Sequence, residues 1–414
     1  MSTQFFWLGA AFVAVPLIVY NLNQEIGSAD RRGLNSLTVP TVTNTTGPRA
    51  VPTLQFVIVV TRHGSRGPLF TYPTSPYKSN DKGIWPYGEA ELTQLGRLQM
   101  HRLGKRIRSM YNGFLDPIYR PEDFLALSTP KPRSLQSAQV FLAGLFSPSG
   151  FQVWNEHLLW QPVPILLNYL DHYEIVPPPV TKCQRYYEEK MKLLSTFERE
   201  FESDLTELFN YAIPYTGFDN LDMKTTNSTH RNFVLYSIWE SLHIPKEEGL
   251  PLPAWSKKVY PQPITSLIVK YTQAAAVGSE TQIRYLQGEL FKSMAGLMLS
   301  KTTGTLRPNR RMYYYSGHDF TVLGLQAILG LRRESLGLVK TGSALIYELH
   351  RDPMTGRFYI QVLYMDGTSP DLWPKSINIP GCDSPCDLHL LLNITEKYYN
   401  ISDWERECQI VETS

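Results

Sequence analysis

The chain has no polybasic tract and almost no net charge: 40 Lys and Arg face 38 Asp and Glu, leaving +2 over 414 residues. Without a cationic stripe, nucleic acid is a poor partner, because such binding rests mainly on phosphate neutralisation. Cysteine is scarce. Cys183, Cys382, Cys386 and Cys408 are the only four, and they form no C-x-x-C pairs at zinc-site spacing, so no metal and no cofactor are expected. Beyond the first twenty residues, no uncharged apolar run reaches bilayer-spanning length, so the body is expected to be soluble. No internal repeat is visible. What is plentiful is core material: 43% of residues are hydrophobic, enough for two or three domains or for one large α/β unit.

The longest apolar run opens the chain, from Phe5 to Tyr20. Its length suits a cleaved signal peptide over residues 1–20. The missing Lys or Arg before it keeps a signal anchor in play, with a buried core helix as the third reading. Four N-x-[ST] sequons, at Asn44, Asn227, Asn393 and Asn400, point the same way, toward export. An even cysteine count then suggests two disulfides in an oxidising compartment. Cys382 and Cys386 are near enough for a small local loop, but four thiols leave three connectivities open.

Residues 21–52 are polar and read as a flexible stem. An α/β core is expected over 53–161 and 301–414, interrupted by a mainly helical insertion over 162–300. Leu54–Val60 is a β-branched run typical of a strand buried on both faces. Leu95, Leu98, Leu103 and Ile107 give a helical stripe from Thr93 to Tyr111, with Thr93 as N-cap. A second short run, Phe124–Leu127, precedes a helix from Arg133 to Phe146. The insertion shows helices at Tyr186–Leu208 and Glu280–Leu299 and no strong strand. Strands return at Arg311–Tyr315, Ala344–His350 and Phe358–Tyr364, with a helix from Phe320 to Leu329. This alternation predicts a doubly wound sheet with an inserted helical cap, which binds ligands at the C-terminal ends of its strands.

Three strand ends carry chemistry. The first ends in Arg62-His63-Gly64-Ser65-Arg66-Gly67-Pro68. Forked guanidinium donors match phosphate oxygens, and a neutral imidazole between them can attack phosphorus. A bare R-H-G is more often a surface turn; R-H-G-x-R-x-P directly after a buried strand is far more specific. The second run leads to Arg133, which alone reads best as an exposed helix-start residue. The third ends in Ser316-Gly317-His318-Asp319, where Asp319 alone reads best as a helix N-cap. If the strands are parallel neighbours, all three turns open on one sheet edge. They then supply a nucleophile (His63), a proton source (Asp319) and a phosphate cradle of Arg62, Arg66, Arg133 and His318.

With R-H-G-x-R-x-P early and H-D late, the chain resembles the histidine acid phosphatases, and within them the prostatic and lysosomal type. Trp85-Pro86-Tyr87-Gly88, Leu92-Thr93-Gln94-Leu95-Gly96, Trp160-Gln161-Pro162-Val163-Pro164 and Asp403-Trp404-Glu405-Arg406-Glu407-Cys408 carry the likeness further, so that it spans Phe56 to Cys408. The resemblance implies a phosphoglycerate-mutase-like fold and the pairings Cys183–Cys408 and Cys382–Cys386. It also implies metal-independent hydrolysis of small phosphomonoesters at acidic pH through a phosphohistidine. A homodimer and a secreted or lysosomal location are the matching expectations, or a type II anchored protein if residues 1–20 stay attached. Relatives of this type often have Asp where Ser65 stands, and carry a further disulfide in the helical domain. Rival readings are a phosphomutase on the same fold and a non-catalytic phospho-ligand binder. A third, an inositol-polyphosphate phosphatase, needs a more cationic pocket.

Overall fold

The computed structural model describes residues 49–176, 182–218, 228–331 and 337–409. The residue 5–20 run and the sequons at Asn44 and Asn227 lie outside these.

Strand β1 (Leu54–Arg62) sits inside an eight-stranded mixed sheet of path β3-β2-β4-β1-β5-β6-β7, where β7 is Lys375–Ser376, with β8 (Cys386–Asp387) on β6. Its apolar run has no polar face because both faces are covered. Val57 and Val59 join one core cluster, while Phe56, Ile58 and Val60 join another. β2 (Phe124–Ser128) and β4 (Met312–Gly317) run parallel to β1, with β4 between them. β5 (Ala344–Arg351) returns antiparallel to β1, and β6 (Phe358–Met365) pairs antiparallel to β5. The sheet is therefore mixed, and the doubly wound expectation applies to its parallel half.

That half has helices at the expected places. Helix α1 (Gln94–Met110) is capped by Thr93, whose hydroxyl accepts from Gly96 N at 3.1 Å. Helix α2 (Pro132–Leu145) opens with proline at its first turn, where the missing N–H is not needed. The two pack together over Met100, Leu103, Ile107, Ala138, Phe141 and Leu142 on the Val57 face.

The insertion departs from expectation twice. Ile165–Leu167 forms a three-residue strand, β3, parallel to β2 at the sheet edge. Three residues with two exposed are too short for a periodicity to register. The single helix expected over Tyr186–Leu208 is two: α3 (Gln184–Glu200) and α4 (Glu202–Thr216), broken at Phe201. A one-residue break leaves Phe197, Leu205 and Leu208 on one buried side, so the stripe reads straight through. Helices α5 (Ser228–Glu247), α6 (Ile264–Ala276) and α7 (Glu280–Thr302) follow. Leu208, Phe209, Val234, Leu235, Ile238 and Leu267 make the insertion's own core. Helix α7 instead joins α8 (Asp319–Ile328) and α9 (Leu388–Tyr399) on the Ile58 face of the sheet.

Cys183 bonds Cys408 across 225 residues, tying the C-terminal helix α10 (Trp404–Cys408) to the start of α3. Cys382 bonds Cys386. Arg49, inside the stretch read as stem, forks onto the fully buried Glu348 carboxylate on β5. Asn393 and Asn400 are exposed.

Candidate active site

Register places three strand ends level. In β1, Arg62 lies opposite Gly317 of β4, and Ser128 of β2 lies opposite Ser316. The turn after β1 is pressed onto the first turn of α1. A Cβ on Gly64 would fall 2.3 Å from Gly96 O, and one on Gly96 would fall 2.1 Å from Ser65 O. Only glycine permits that approach. The loop is further tied by Ser137 Oγ, which accepts from Gly64 N, and by Gln99 Oε1, which accepts from Ser65 N.

His63 is 2% exposed. Its Nδ1 lies 2.8 Å from Gly64 O. A carbonyl only accepts, so Nδ1 carries the proton and Nε2 presents a lone pair. Into that lone pair Arg133 Nε donates at 3.1 Å. Burial first, then Arg133, Arg62, His318 and Arg66, holds the His63 proton affinity well below the usual imidazole range. The ring stays neutral in acid that would charge a free histidine.

His318 lies 5.5 Å from His63, centroid to centroid. Its Nε2 contacts Thr129 Oγ1 at 2.9 Å, and Tyr173 stacks on its ring at 3.5 Å. It too is held well below the usual imidazole range, by burial and then Arg133, Arg62, Lys131 and Arg66. Which ring nitrogen of His318 donates is set by its tautomer, and the pairing of Nε2 with Thr129 Oγ1 holds the ring in place.

Arg62 Nη2 meets Asp319 Oδ2 at 3.1 Å, and its Nη1 donates to Val339 O at 2.5 Å. Asp319 is not the N-cap that its type suggested. His318 occupies that position, and its N–H is satisfied by Thr321 Oγ1 at 2.8 Å. The Asp319 carboxylate is thereby released toward Arg62, and its side chain stays 36% exposed. Arg133, read alone as an exposed helix start, is instead half-buried against His63. Burial and then Arg66 lower its guanidinium to about 10, still cationic in acid. Among the described residues no carboxylate pairs with it within salt-bridge distance.

The insertion supplies groups that no local pattern marked. Glu240 of α5 is fully buried, with Oε1 2.7 Å from Arg66 Nη1 and Oε2 accepting from Phe70 N at 2.9 Å. Burial works to lower the Arg66 proton affinity, but Glu240, Tyr236 and Asp319 outweigh it and the net shift is upward. Tyr236, one turn before Glu240, feels the charges of Arg66, Asp319 and Arg62. Glu248 accepts from Ser65 Oγ at 2.6 Å and Thr93 Oγ1 at 2.7 Å, so the serine at the variable position of the motif is braced from the insertion. The Tyr173 hydroxyl is buried with no partner. These residues sit far from the motifs in sequence, and only the fold reveals them. Among the described residues, no cluster of three or more His, Cys, Asp or Glu side chains is arranged to hold a metal.

The structure thus gathers all six predicted side chains. A buried lone pair on His63 faces an unpaired guanidinium, two further arginines flank it, and a carboxyl group stands at the rim. Such a pocket can bind a phosphoryl group and attack it.

The chain is similar to known proteins over most of its length. The family model of the histidine phosphatase superfamily (branch 2) matches residues 53–365. Lysosomal acid phosphatase of Homo sapiens is 29% identical over 91% of this chain and 84% of its own length. Prostatic acid phosphatase of Mus musculus is 31% identical over 87% of this chain and 90% of its own. Among solved structures, a Hafnia alvei phytase in complex with tartrate superposes with TM-score 0.62 at 16% identity, covering 87% of this chain and 99% of that one. At that identity the likeness carries the fold alone. The match over most of the chain places this protein in branch 2 of the histidine phosphatase superfamily.

Proposed function

We propose that the chain is an acid phosphatase that hydrolyses small phosphomonoesters to an alcohol and inorganic phosphate through a phosphohistidine on His63 Nε2. One observation carries this reading: the His63 Nε2 lone pair is buried, free of a proton, and accepts from an arginine that has no carboxylate within salt-bridge distance among the described residues. A protein that only bound phosphate would gain from the cation and have no use for the lone pair.

The ester's phosphoryl oxygens dock among Arg62, Arg66, Arg133 and His318, which stabilise the charge of the transferring group. His63 Nε2 attacks phosphorus in line; the P–O bond to the alcohol breaks. Asp319, protonated, passes its proton to the leaving oxygen. The imidazolium that forms keeps its Nδ1–H on Gly64 O, a carbonyl well placed for positive charge. Water, deprotonated by Asp319, then attacks phosphorus, the P–N bond breaks, and His63 recovers its lone pair.

Two disulfides and the exposed Asn393 and Asn400 support work in a secreted or lysosomal, oxidising setting. No described helix is long and apolar enough to cross a membrane; N-terminal sequencing of the mature protein decides whether residues 1–20 are cleaved. A homodimer is supported by the edge strand β3. Its Leu166 and Leu167 are exposed, as are Phe151, Trp154 and Leu159 just before it. Apolar side chains on an open edge make a pairing surface. Light scattering should give a dimer for the native chain and a monomer for Leu166→Lys; a monomeric native chain refutes the assembly.

The reaction is tested by brief turnover of a chromogenic phosphate ester in acid, followed by mass spectrometry. Phosphate should be trapped on the His63 imidazole. Full turnover by His63→Ala, or label on another residue, overturns the mechanism.

A further inference from the structure

Asp171 is a buried carboxylate outside the phosphate cradle, in the loop between β3 and the Tyr173–Ile175 turn, 6% exposed. Among the described residues it has no Lys or Arg within salt-bridge distance. Its partners are neutral donors. Thr321 Oγ1 donates to Oδ2 at 2.6 Å, Gln287 Nε2 of α7 donates to Oδ1 at 2.7 Å, and Tyr173 N–H lies 3.2 Å from Oδ1. Burial pushes its proton affinity up, against these hydrogen bonds. Burying a carboxylate among neutral donors is unfavourable compared with leaving it in water. Gly317 shows how tightly the site is closed. A Cβ there would stand 2.6 Å from Thr321 Oγ1 and 3.0 Å from Asp171 Oδ2.

The hydrogen bonds have a forced direction. A hydroxyl has one proton. Thr321 gives it to Asp171, so its lone pairs must face the N–H of His318, which donates at 2.8 Å. The chain therefore runs from His318 N–H through Thr321 to an acceptor-only carboxylate. The same loop also grips the His318 ring, through the stacked Tyr173. Backbone and side chain of one residue are fixed from one place, and the next residue is Asp319.

We propose that Asp171 is a positioning residue for phosphoryl transfer: through Thr321 it locks the turn that aims His318 at the phosphoryl group and Asp319 at the leaving oxygen. The proposal rests on the phosphohistidine reading above. A helix-start brace of ordinary kind would affect stability alone. A positioning residue affects the step in which Asp319 delivers a proton, so its loss weighs more on poor leaving groups than on good ones.

The test compares kcat on an alkyl phosphate with kcat on a nitrophenyl phosphate. The ratio does not depend on how much enzyme is folded, so destabilised variants remain informative. Thr321→Val removes the hydroxyl at nearly constant volume, Thr321→Ser keeps it, and Asp171→Ala removes the acceptor. Misplacing a catalytic group by an ångström slows a reaction by about a hundredfold. Thr321→Val and Asp171→Ala should therefore lower the alkyl-to-aryl ratio by roughly tenfold or more, with Thr321→Ser within about threefold of native. Asp319→Asn is the reference. If it shifts the ratio and Thr321→Val and Asp171→Ala do not, the positioning role is wrong and the phosphatase mechanism stands. If Asp319→Asn itself leaves the ratio unchanged, the donor assignment fails and the positioning role falls with it.

Discussion

Replacing Glu240 with Gln should make the enzyme less stable and yet bind inorganic phosphate more tightly. Glu240 is wholly buried, and its partner Arg66 is 7% exposed at the side chain, with 2.7 Å between them. Breaking such a pair costs about 3–5 kcal/mol, because one charge is left buried without its counterpart. Gln keeps an oxygen for Arg66, which places the loss at the lower end. The effect on phosphate has the opposite sign. The ion-pair contact, the width of the guanidinium and one more hydrogen bond put the carboxylate roughly 7 Å from a bound phosphate oxygen, and at an effective dielectric of about 20 one unit of repulsion there is worth about 2 kcal/mol. Removing it should lower the phosphate Kd by more than about tenfold. Turnover should then fall through product inhibition, and added phosphate should recover more thermal stability in the variant than in the native enzyme. Calorimetric titration with phosphate at fixed ionic strength, alongside thermal melts, measures both. An unchanged or weaker phosphate affinity in a folded Glu240→Gln protein would show that this helix does not set the charge of the cradle.

Asp319→Asn should slow an alkyl phosphate far more than a nitrophenyl phosphate, and equal loss on both would remove Asp319 from the donor role. Arg133→Ala should reduce kcat/KM by roughly a hundredfold or more, as expected for one aimed donor to the transferring group, while Arg133→Lys recovers only part because a point charge replaces a fork; steady-state kinetics decide. Stability should fall in acid through the two buried imidazoles. Both have folded-state proton affinities below the ordinary 6.5, so below that pH the unfolded chain binds more protons than the folded one. The slope is about 1.4 kcal/mol per pH unit for each histidine while the folded form stays neutral. Urea unfolding across that window should lose one such increment of slope in His63→Ala, and an unchanged slope would contradict the burial argument.

What could be read from the sequence was local. Leu54–Val60 announces a strand covered on both faces because its apolar residues do not alternate with polar ones, and Val57 and Phe56 do belong to opposite clusters. Thr93 and the stripe after it mark α1 because capping and 3.6-residue periodicity are short-range. The cradle could be inferred because each motif follows its own strand, and parallel strands put such turns on one edge. Other features were hidden for physical reasons. β3 has three residues, and the break at Phe201 preserves helical phase. Asp319 looked like a cap because Asp usually caps; that His318 caps instead depends on Thr321, whose hydroxyl is itself held by Asp171 from 150 residues away. Glu240 and Tyr173 contribute only through tertiary contact, which no pattern along the chain encodes.

In the proposed mechanism the site must solve a conflict that any acid-working phosphohistidine enzyme faces: its nucleophile must be without a proton at a pH where its acid must have one. Environment separates the two. His63 is enclosed, with Arg133 donating into its lone pair and Arg62 and Arg66 close by, so a proton arriving at Nε2 would meet three cations in a buried setting. Asp319 stands at the rim, a third exposed, with one arginine as partner. In the proposed mechanism a docked phosphoryl dianion sets its own negative charge beside the carboxyl, where two like charges are costly together. In that mechanism the His63 lone pair is by then directed at phosphorus. On the insertion side that cluster of cations is countered by Glu240, which pairs with Arg66. Helix α5 is then part of the proposed cradle's charge balance: without its carboxylate, inorganic phosphate should leave more slowly.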